Sequence, residues 1–488
     1  MRTEILVSRG PGETRVAVLE EGALVEFDLE RGDARSAVGN VYRGKVTRVL
    51  PGMQAAFVDI GLKRAAFLYV DDVAREGADV EPDEEEPSPK VDRPPIQELL
   101  RAGQEIVVQV RKAPLGSKGA RVTNFVTIPG RHVVYLPTLD KVGVSRKITA
   151  EGERTRLKEL LESQRKDGEG GFIARTVCEG VESEHIARDM DFVRGLWGKV
   201  MARAESRPTP SLLLADLDLV SRTARDLLTE DVELVCDDPD DADRVKGLMA
   251  AHGPELLPRI RLHEGPSPLL EARGVESSLE AAQARTVALK SGGSISIDEA
   301  EALTAIDINT GRYVGKKDLE QTLLRTNLEA APVVAEQIRL RNLGGIIIVD
   351  FIDMQDPSSK TQVFEAFSAA LERDRSKIKL LPMNDFGLLE LTRKRVRPSL
   401  SSRLHESCPY CAGRGTVKSA QTLALQILRR LRDAGPGPGD VLVSAMPDVA
   451  KLLVASPELA AMEKELGRSI HVEARSDYHR EVFHLTAR

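Results

Sequence analysis

Apolar residues follow two rhythms along this chain. Some runs alternate apolar and polar positions, the period of a half-buried strand. Others repeat near every third or fourth residue, the period of a helix. Up to about residue 35 the runs are strand-like: Glu4-Ile-Leu-Val-Ser8, Thr14-Arg-Val-Ala-Val-Leu19 and Leu24-Val-Glu-Phe27, parted by Gly-bearing turns. From Val38 to about Val126 the runs are short and punctuated by Gly: Val41 to Val49, Ala55 to Gly61, Ala65 to Leu68, and Glu105 to Arg111. Repeated short strands with Gly turns predict a small barrel of the oligonucleotide-binding type. The stretch Glu76 to Pro95, rich in Glu, Asp and Pro, interrupts it and reads as a disordered surface loop.

Beyond residue 121 the pattern is mixed. Phe172-Ile-Ala-Arg175-Thr176 is a strand with a base at its end, and a helix is predicted over Ala187 to Ala204. Ser221 to Leu228 reads helical, and Glu280 to Lys290 is apolar-periodic and basic. Two strands follow, Leu303 to Asn309 and Gly344 to Ile352, joined by a helical stretch from Asp318 to Arg341. Its Leu319, Leu323, Leu328 and Ile338 fall near one face, and Pro332 is expected to kink or restart it. Strand, crossover helix, strand predicts a parallel pair. Thr361 to Leu371 is another helix. The tail from Thr416 alternates helix and strand across Gly435-Pro-Gly-Pro-Gly439, as a small α/β domain does.

The 488 residues point to several domains, and an apolar share of 41% can supply their cores. The net charge of −7 at first argues against a polyanionic partner. Most of it is local. Between Asp71 and Glu98 eleven acids face three bases, which leaves the rest of the chain near +1. Bases cluster at Arg373, Arg375, Lys377 and Lys379, and again at Arg393-Lys394-Arg395 and Arg397. A local basic face governs polyanion binding more than the global sum. Four cysteines are too few for a disulfide scaffold at this length, so a reducing compartment is expected. The N-terminus carries no secretory pattern and no apolar run is long enough to span a bilayer, so the expectation is a cytoplasmic protein.

The chemistry begins with two aspartates at strand ends. Asp307 lies in Leu303-Thr-Ala-Ile-Asp-Ile-Asn309, and Asp350 ends Gly344-Gly-Ile-Ile-Ile-Val-Asp350. A carboxylate delivered by a buried strand is costly unless it holds a cation or a donor. Two such strands side by side put both carboxylates at one rim. Without nearby His or Cys, that donor set suits Mg²⁺ and phosphate chemistry. The plainer reading is that they cap turns. Cys408-Pro-Tyr-Cys411 is half of a zinc site. His405 can supply a third ligand, or two chains can each give one knuckle to a shared ion. A redox pair is the alternative. Phe57 and Phe67 fit base stacking or the core equally well, with Lys112 as a phosphate contact. Arg175-Thr176 offers a guanidinium fork and a hydroxyl to a phosphate; Asp216 and Asp218 suggest another metal site but read more readily as exposed carboxylates on a strand end.

Together these stretches resemble the ribonuclease E/G family. The likeness rests on Ala305-Ile-Asp-Ile-Asn-Thr-Gly311, Asn327-Leu-Glu-Ala-Ala331, Arg339 through Met354, Gly387-Leu-Leu-Glu390 and Cys408 through Thr416. It extends to Pro51 through Gly61 and Leu115 through Arg121, and covers essentially the whole chain. The chain ends soon after the small domain, which resembles the shorter members of the family rather than those with a long scaffold tail. The resemblance implies a multidomain α/β and α+β fold. A ribonuclease H-like subdomain (1–37 and 215–278) would surround an S1 barrel (38–120, acidic loop 76–95) and a 5′-sensor region (121–214). A deoxyribonuclease-I-like catalytic domain (279–400), a zinc link (401–418) and a small α/β domain (419–488) would follow.

The resemblance also implies a Mg²⁺-dependent endoribonuclease, of the kind that serves rRNA processing and mRNA decay. It would cut single-stranded RNA, favour 5′-monophosphorylated substrates and leave 5′-phosphate and 3′-hydroxyl ends. By motif position Asp307 and Asp350 would hold one Mg²⁺ per chain, with Asn309 beside them. Phe57, Phe67 and Lys112 would meet RNA. Gly130, Val134, Arg175, Thr176 and Lys377 would read the 5′-phosphate, although Lys377 stands where some relatives carry Arg. Cys408 and Cys411 would share a structural Zn²⁺ between two chains in a homodimer or homotetramer. The competing reading is a non-catalytic S1-containing RNA-binding factor; a deoxyribonuclease or phosphatase on the same carboxylates is a further one.

Overall fold

The computed structural model describes residues 2–32, 37–73, 94–114, 118–310, 319–384, 386–395 and 397–487. The acidic run 76–93 lies outside the described residues, as do Gly311 and the 115–117 part of the Leu115–Arg121 motif. The chain forms two compact units, one running to Leu400 and one beginning at Ser401.

In the first unit, β1 (Thr3–Gly10), β2 (Glu13–Glu20) and β3 (Ala23–Arg31) form an antiparallel meander. Next comes a closed barrel of β4 (Val41–Leu50), β5 (Ala55–Asp59), β6 (Ala66–Tyr69), β7 (Glu105–Lys112) and β8 (Arg121–Thr123). Closure comes from β4, long enough at ten residues to pair with both β5 and β7. The interior is filled by Val46, Ala56, Val58, Leu68, Val108 and Val122. A four-stranded sheet follows, made of β9 (Ile128–Pro129), β10 (Val133–Leu136), β11 (Val142–Val144) and β12 (Gly171–Ala174). Helices Glu151–Gln164 and Ser183–Ser206 cover it, with Leu157, Leu161, Ile186, Met190 and Val193 in the shared core. The chain then returns: β13 (Ser211–Leu214) joins β4, and β14 (Val232–Cys236) and β15 (Ile260–Leu262) extend the first sheet beyond β1.

The last sheet of this unit has the order β16 (Thr286–Ala288), β17 (Ser294–Glu299), β18 (Leu303–Asn309), β19 (Gly345–Asp350), β21 (Leu388–Arg393), β20 (Ile378–Leu380). Only β18 and β19 are parallel, joined by the helix Leu319–Leu340. One face of this sheet is buried: Ile295, Ile297, Ile306, Ile308, Ile347, Val349, Leu389 and Leu391 pack on Val334, Ile338, Val363 and Phe367. Each such side chain gains roughly 1.5–3 kcal/mol by leaving water. Period-2 alternation then forces Asp307 and Asn309 onto the open face.

The apolar-periodic stretch Glu280 to Lys290 divides between two elements: the helix Val275–Gln283 ends at Ala284, whose N–H donates to the Ala281 carbonyl, and β16 begins at Thr286. β-branched Thr286 and Val287 pair with β17, and the sheet wins over periodicity. The long helix does not restart at Pro332 but runs through it, and buried Ala330, Ala331 and Ala335 flank that turn.

The second unit packs the helices Ala420–Ala434, Pro447–Ala455 and Pro457–Leu466 on a sheet of β22 (Val441–Ala445), β23 (Ile470–Ala474) and β24 (Phe483–Ala487). Leu423, Ile427, Leu431, Val443 and Leu453 form its core. Among the described residues no helix is long and apolar enough to cross a membrane.

Candidate active site

Asp307 and Asp350 are direct register partners across the parallel pair β18 and β19. Neighbouring strands run about 4.8 Å apart, so two exposed carboxylates in one register position stand within reach of one ion. Asn309, two residues further along β18, donates from Nδ2 to Asp307 Oδ2 at 2.6 Å. That bond orients the carboxylate and leaves its other oxygen free of Asn309. Burial, then the negative charges of Asp307 and Asp353, push the Asp350 carboxyl above the usual carboxylate range. A divalent cation would relieve that repulsion, so the donor set fits Mg²⁺. Among the described residues no group of three or more His, Cys, Asp and Glu side chains gathers as a metal site. Two carboxylates with waters completing the shell is the usual Mg²⁺ arrangement.

The barrel brings its residues together in one lateral row. Register pairing runs Arg48–Phe57, Phe57–Phe67, Phe67–Arg121 and Arg121–Lys112. The two Phe rings meet edge to face, centroids 5.9 Å apart. Each lies half-buried between fully buried neighbours, Ala56 and Val58 for one, Ala66 and Leu68 for the other. They therefore belong to the barrel's outer face, not its core. Arg48 and Arg121 are the residues the sequence reading missed here. Arg48 has the same parity as buried Val46, and the register shift between them turns it to the open face, so alternation along β4 gave no signal for it. Arg121 is partly committed, since Asp72 accepts from its Nε at 2.8 Å.

Gly130, Val134, Arg175 and Thr176 meet where β10 pairs with β12. Arg175 donates from Nη1 to the Gly130 carbonyl at 2.7 Å and forms an ion pair with Asp226 at 2.8 Å. The Thr176 and Ser145 hydroxyls lie 3.0 Å apart. Lys147 donates to the backbone carbonyl of Arg375, two residues before exposed Lys377, so Lys377 comes near this corner. Of the two basic clusters, Arg373, Arg375, Lys377 and Lys379 are exposed. In the second, Arg393 is buried against Asp374 at 2.7 Å, and Arg395 donates to the Gly344 carbonyl at 2.8 Å. Its guanidinium groups are tied to the protein.

Beneath the Gly130–Arg175 corner lies Asp189, 2% exposed, which no sequence pattern announced. It accepts backbone N–H bonds from Arg131, His132 and Val133 at 3.1, 2.8 and 3.0 Å, and contacts His252 Nδ1 at 3.1 Å. A Cβ on Gly130 would lie 2.3 Å from its Oδ2, so only glycine lets the turn close over this carboxylate. Burial opposes its charge, but the bonds from His252 and the three amides hold the carboxyl below its ordinary range. Burial also pushes His132 down to about 4. An unfolded His titrates near 6.5, so between these values the unfolded chain binds the extra proton and stability falls as pH drops. Acidification from pH 6.5 to about 4 is therefore expected to cost this region on the order of 3 kcal/mol from His132. Amide-exchange protection at 131–133 measured across that range, with and without H132Q, checks this; the variant should flatten the pH slope.

Cys178 and Cys236 are buried in separate cores, and burial pushes each thiol up to about 12. Cys408 is exposed, and bonds from the Cys411 and Tyr410 backbone, with one from the Cys411 thiol, lower its thiol's pKa. The Gly415 N–H also bonds Cys411 Sγ at 3.3 Å. Thiolate-favouring donors around a tight turn fit a zinc knuckle. His405 does not join the two thiols in a three-ligand group among the described residues. Asp216 and Asp218 are not the exposed carboxylates expected: both are partly buried, Asp216 paired with Arg222 and Asp218 with Arg244, and Asp218 also caps a helix through the Ser221 N–H.

The comparisons with known proteins decide what this arrangement belongs to. Residues 127–396 match the profile described as Ribonuclease E/G family, and residues 407–488 the one described as RNase E/G, Thioredoxin-like domain. The chain is 42% identical over 486 residues to "Ribonuclease G" of Haemophilus influenzae, covering 98% of each. The chain belongs to the ribonuclease E/G family. It is likewise 41% identical to "Ribonuclease G" of Escherichia coli K12 across 99% of both chains. Against "Ribonuclease E" of the same organism the identity is 39%, over 86% of this chain but only 39% of that one. This ribonuclease E/G family member thus matches the shorter relatives end to end.

Proposed function

We propose that this chain is an endoribonuclease that hydrolyses single-stranded RNA at Asp307 and Asp350, as in rRNA processing and mRNA decay. The observation that carries the reading is the register pairing of those two aspartates on the open face of a sheet. The relatives' names, Ribonuclease G and Ribonuclease E, support RNA as substrate. Asp307 and Asp350 would hold Mg²⁺, with Asn309 fixing the rotamer of Asp307. Held there, Mg²⁺ would supply Lewis-acid polarisation of a phosphate oxygen and a water and would offset charge developing at phosphorus. The row of Phe57 and Phe67 with Arg48, Arg121 and Lys112 would clamp a strand by stacking and charge, as an S1 barrel does. Gly130, Val134, Arg175, Thr176 and Lys377 would receive a 5′-monophosphate. Arg175 keeps its fork aimed at that corner through Asp226. Two anchors on one RNA raise effective concentration where their spacing fits. The products would carry 5′-phosphate and 3′-hydroxyl ends.

A 5′-monophosphorylated A/U-rich oligoribonucleotide tests this, against its 5′-hydroxyl twin and a matched DNA. Expected is shortening with Mg²⁺, none with chelator, a faster rate for the monophosphate and intact DNA. RNA that shifts on a gel but is never shortened means a binding module; cut DNA means a different nuclease.

Cys408 and Cys411 would share a structural Zn²⁺ with the same pair of a second chain, a homodimer clamp or half of a tetramer's. Metal analysis should find about one zinc per two chains, with chelation splitting the oligomer. One zinc per chain would instead mean a site closed within a protomer.

A further inference from the structure

The motif Asn327-Leu-Glu-Ala-Ala331 touches neither RNA nor metal in the reading above, yet its two polar side chains reach both flanks of the aspartate pair. Asn327 is fully buried in the middle of the helix Leu319–Leu340. Asn is a poor residue for a helix interior, and an unpaired buried amide is costly. Here both ends of the amide are used. Nδ2 donates to the Ile352 carbonyl at 2.8 Å, and the Ile352 N–H donates back to Oδ1 at 3.1 Å. Asn327 thus acts as a short ladder partner for the chain just after β19 has ended. Ile352 stands two residues beyond Asp350 and one before Asp353. The far end of the same loop is held too, because Glu320 accepts the N–H groups of Gln355 and Asp356 at 3.0 Å each. One helix therefore braces the β19 exit loop at both ends.

Glu329 serves the other flank. Its two carboxylate oxygens accept from the Ser291 N–H at 3.2 Å each. Ser291 belongs to the turn between β16 and β17, which leads through Gly293 to Ser294, the register partner of Asn309. A Cβ on Gly293 would lie 2.6 Å from the Asn309 carbonyl, so this turn presses directly on the backbone of Asn309. Residues two apart on a helix do not share a face, which is why Asn327 and Glu329 can reach opposite sides.

We propose that Asn327 and Glu329 are positioning residues that set the spacing of Asp350 and Asp307, so that the helix acts as a gauge for the cation site. This rests on the reading that those aspartates hold a divalent ion. Groups that orient metal ligands without touching the metal typically change affinity by 10–100-fold when removed.

The experiment is a Mn²⁺ titration of the full chain, followed by electron paramagnetic resonance, with no RNA present. Asn327→Ala should weaken Mn²⁺ binding by about tenfold or more. Its RNA affinity in chelator should stay within about twofold, and excess Mn²⁺ should restore kcat. Glu329→Ala, on the less buried flank and therefore safe for folding, should weaken Mn²⁺ by a smaller factor. Val334→Ala is the control. It opens the same core without removing a hydrogen bond to either loop, and should leave Mn²⁺ affinity as it is. Wild-type affinity in both N327A and E329A would overturn the proposal, as would equal weakening by V334A, which would assign the effect to core loosening. No Mn²⁺ binding by the wild-type chain would instead overturn the cation reading on which it rests.

Discussion

Asp350→Asn and Asp307→Asn are each expected to cleave RNA about 10³-fold more slowly than the wild-type chain, the upper end of the scale set by losing one preorganised charge contact in a closed site. RNA affinity measured in chelator should be unchanged, because the barrel row and the Gly130–Arg175 corner are separate from the aspartates. The two variants should also differ without metal. Burial and the charges of Asp307 and Asp353 raise the Asp350 carboxyl's pKa, so its ionised form works against folding. A raised carboxyl stabilises only while protonated, at low pH, and that contribution is lost as pH rises through its folded pKa. At neutral pH the metal-free D350N chain is therefore expected to melt no lower than wild type. Single-turnover cleavage and a melting curve in chelator check both parts. Near-wild-type cleavage in either variant would remove the metal argument.

Asp189→Ala has the largest expected effect on stability. It strands three backbone N–H groups, and His252 loses its partner, in a region closed to water. Removing one member of a buried charged cluster typically costs about 3–5 kcal/mol. The loss should be local. Amide exchange at Arg131, His132 and Val133 should accelerate by about two orders of magnitude or more, while the sheet around Asp307 stays protected. Because Arg175 bonds the Gly130 carbonyl, the same variant should lose preference for a 5′-monophosphate. Asp189→Asn keeps the shape and one good acceptor, and should cost less. Unchanged exchange in D189A would mean that the turn is held by the sheet alone.

Much of this was legible before any coordinates. Alternation in β18 and β19 put Asp307 and Asp350 at strand ends, and the long helix between them required parallel pairing. The Gly-punctuated strands announced the barrel. What the sequence left open was which way the barrel's rings face, because alternation gives two faces without saying which is inside. Closure of β4 onto β7 settles it for Phe57 and Phe67. The β16 strand was hidden because the apolar period of Glu280 to Lys290 does not divide helix from strand, and pairing with β17 is what marks the strand. Asp189 was invisible for another reason. Its partners are backbone amides nearly sixty residues away, and no local pattern records a contact of that kind. The second basic cluster misled in the opposite direction: Arg393 looked like a nucleic-acid contact but is a buried partner of Asp374.

The most direct measurement is anomalous diffraction from crystals of the metal-free chain soaked in Mn²⁺. A single strong peak within coordination distance of one oxygen of Asp307 and one of Asp350, absent in D350N crystals, is the predicted result. A peak on only one carboxylate, or none between them at saturating Mn²⁺, would contradict the shared-cation site.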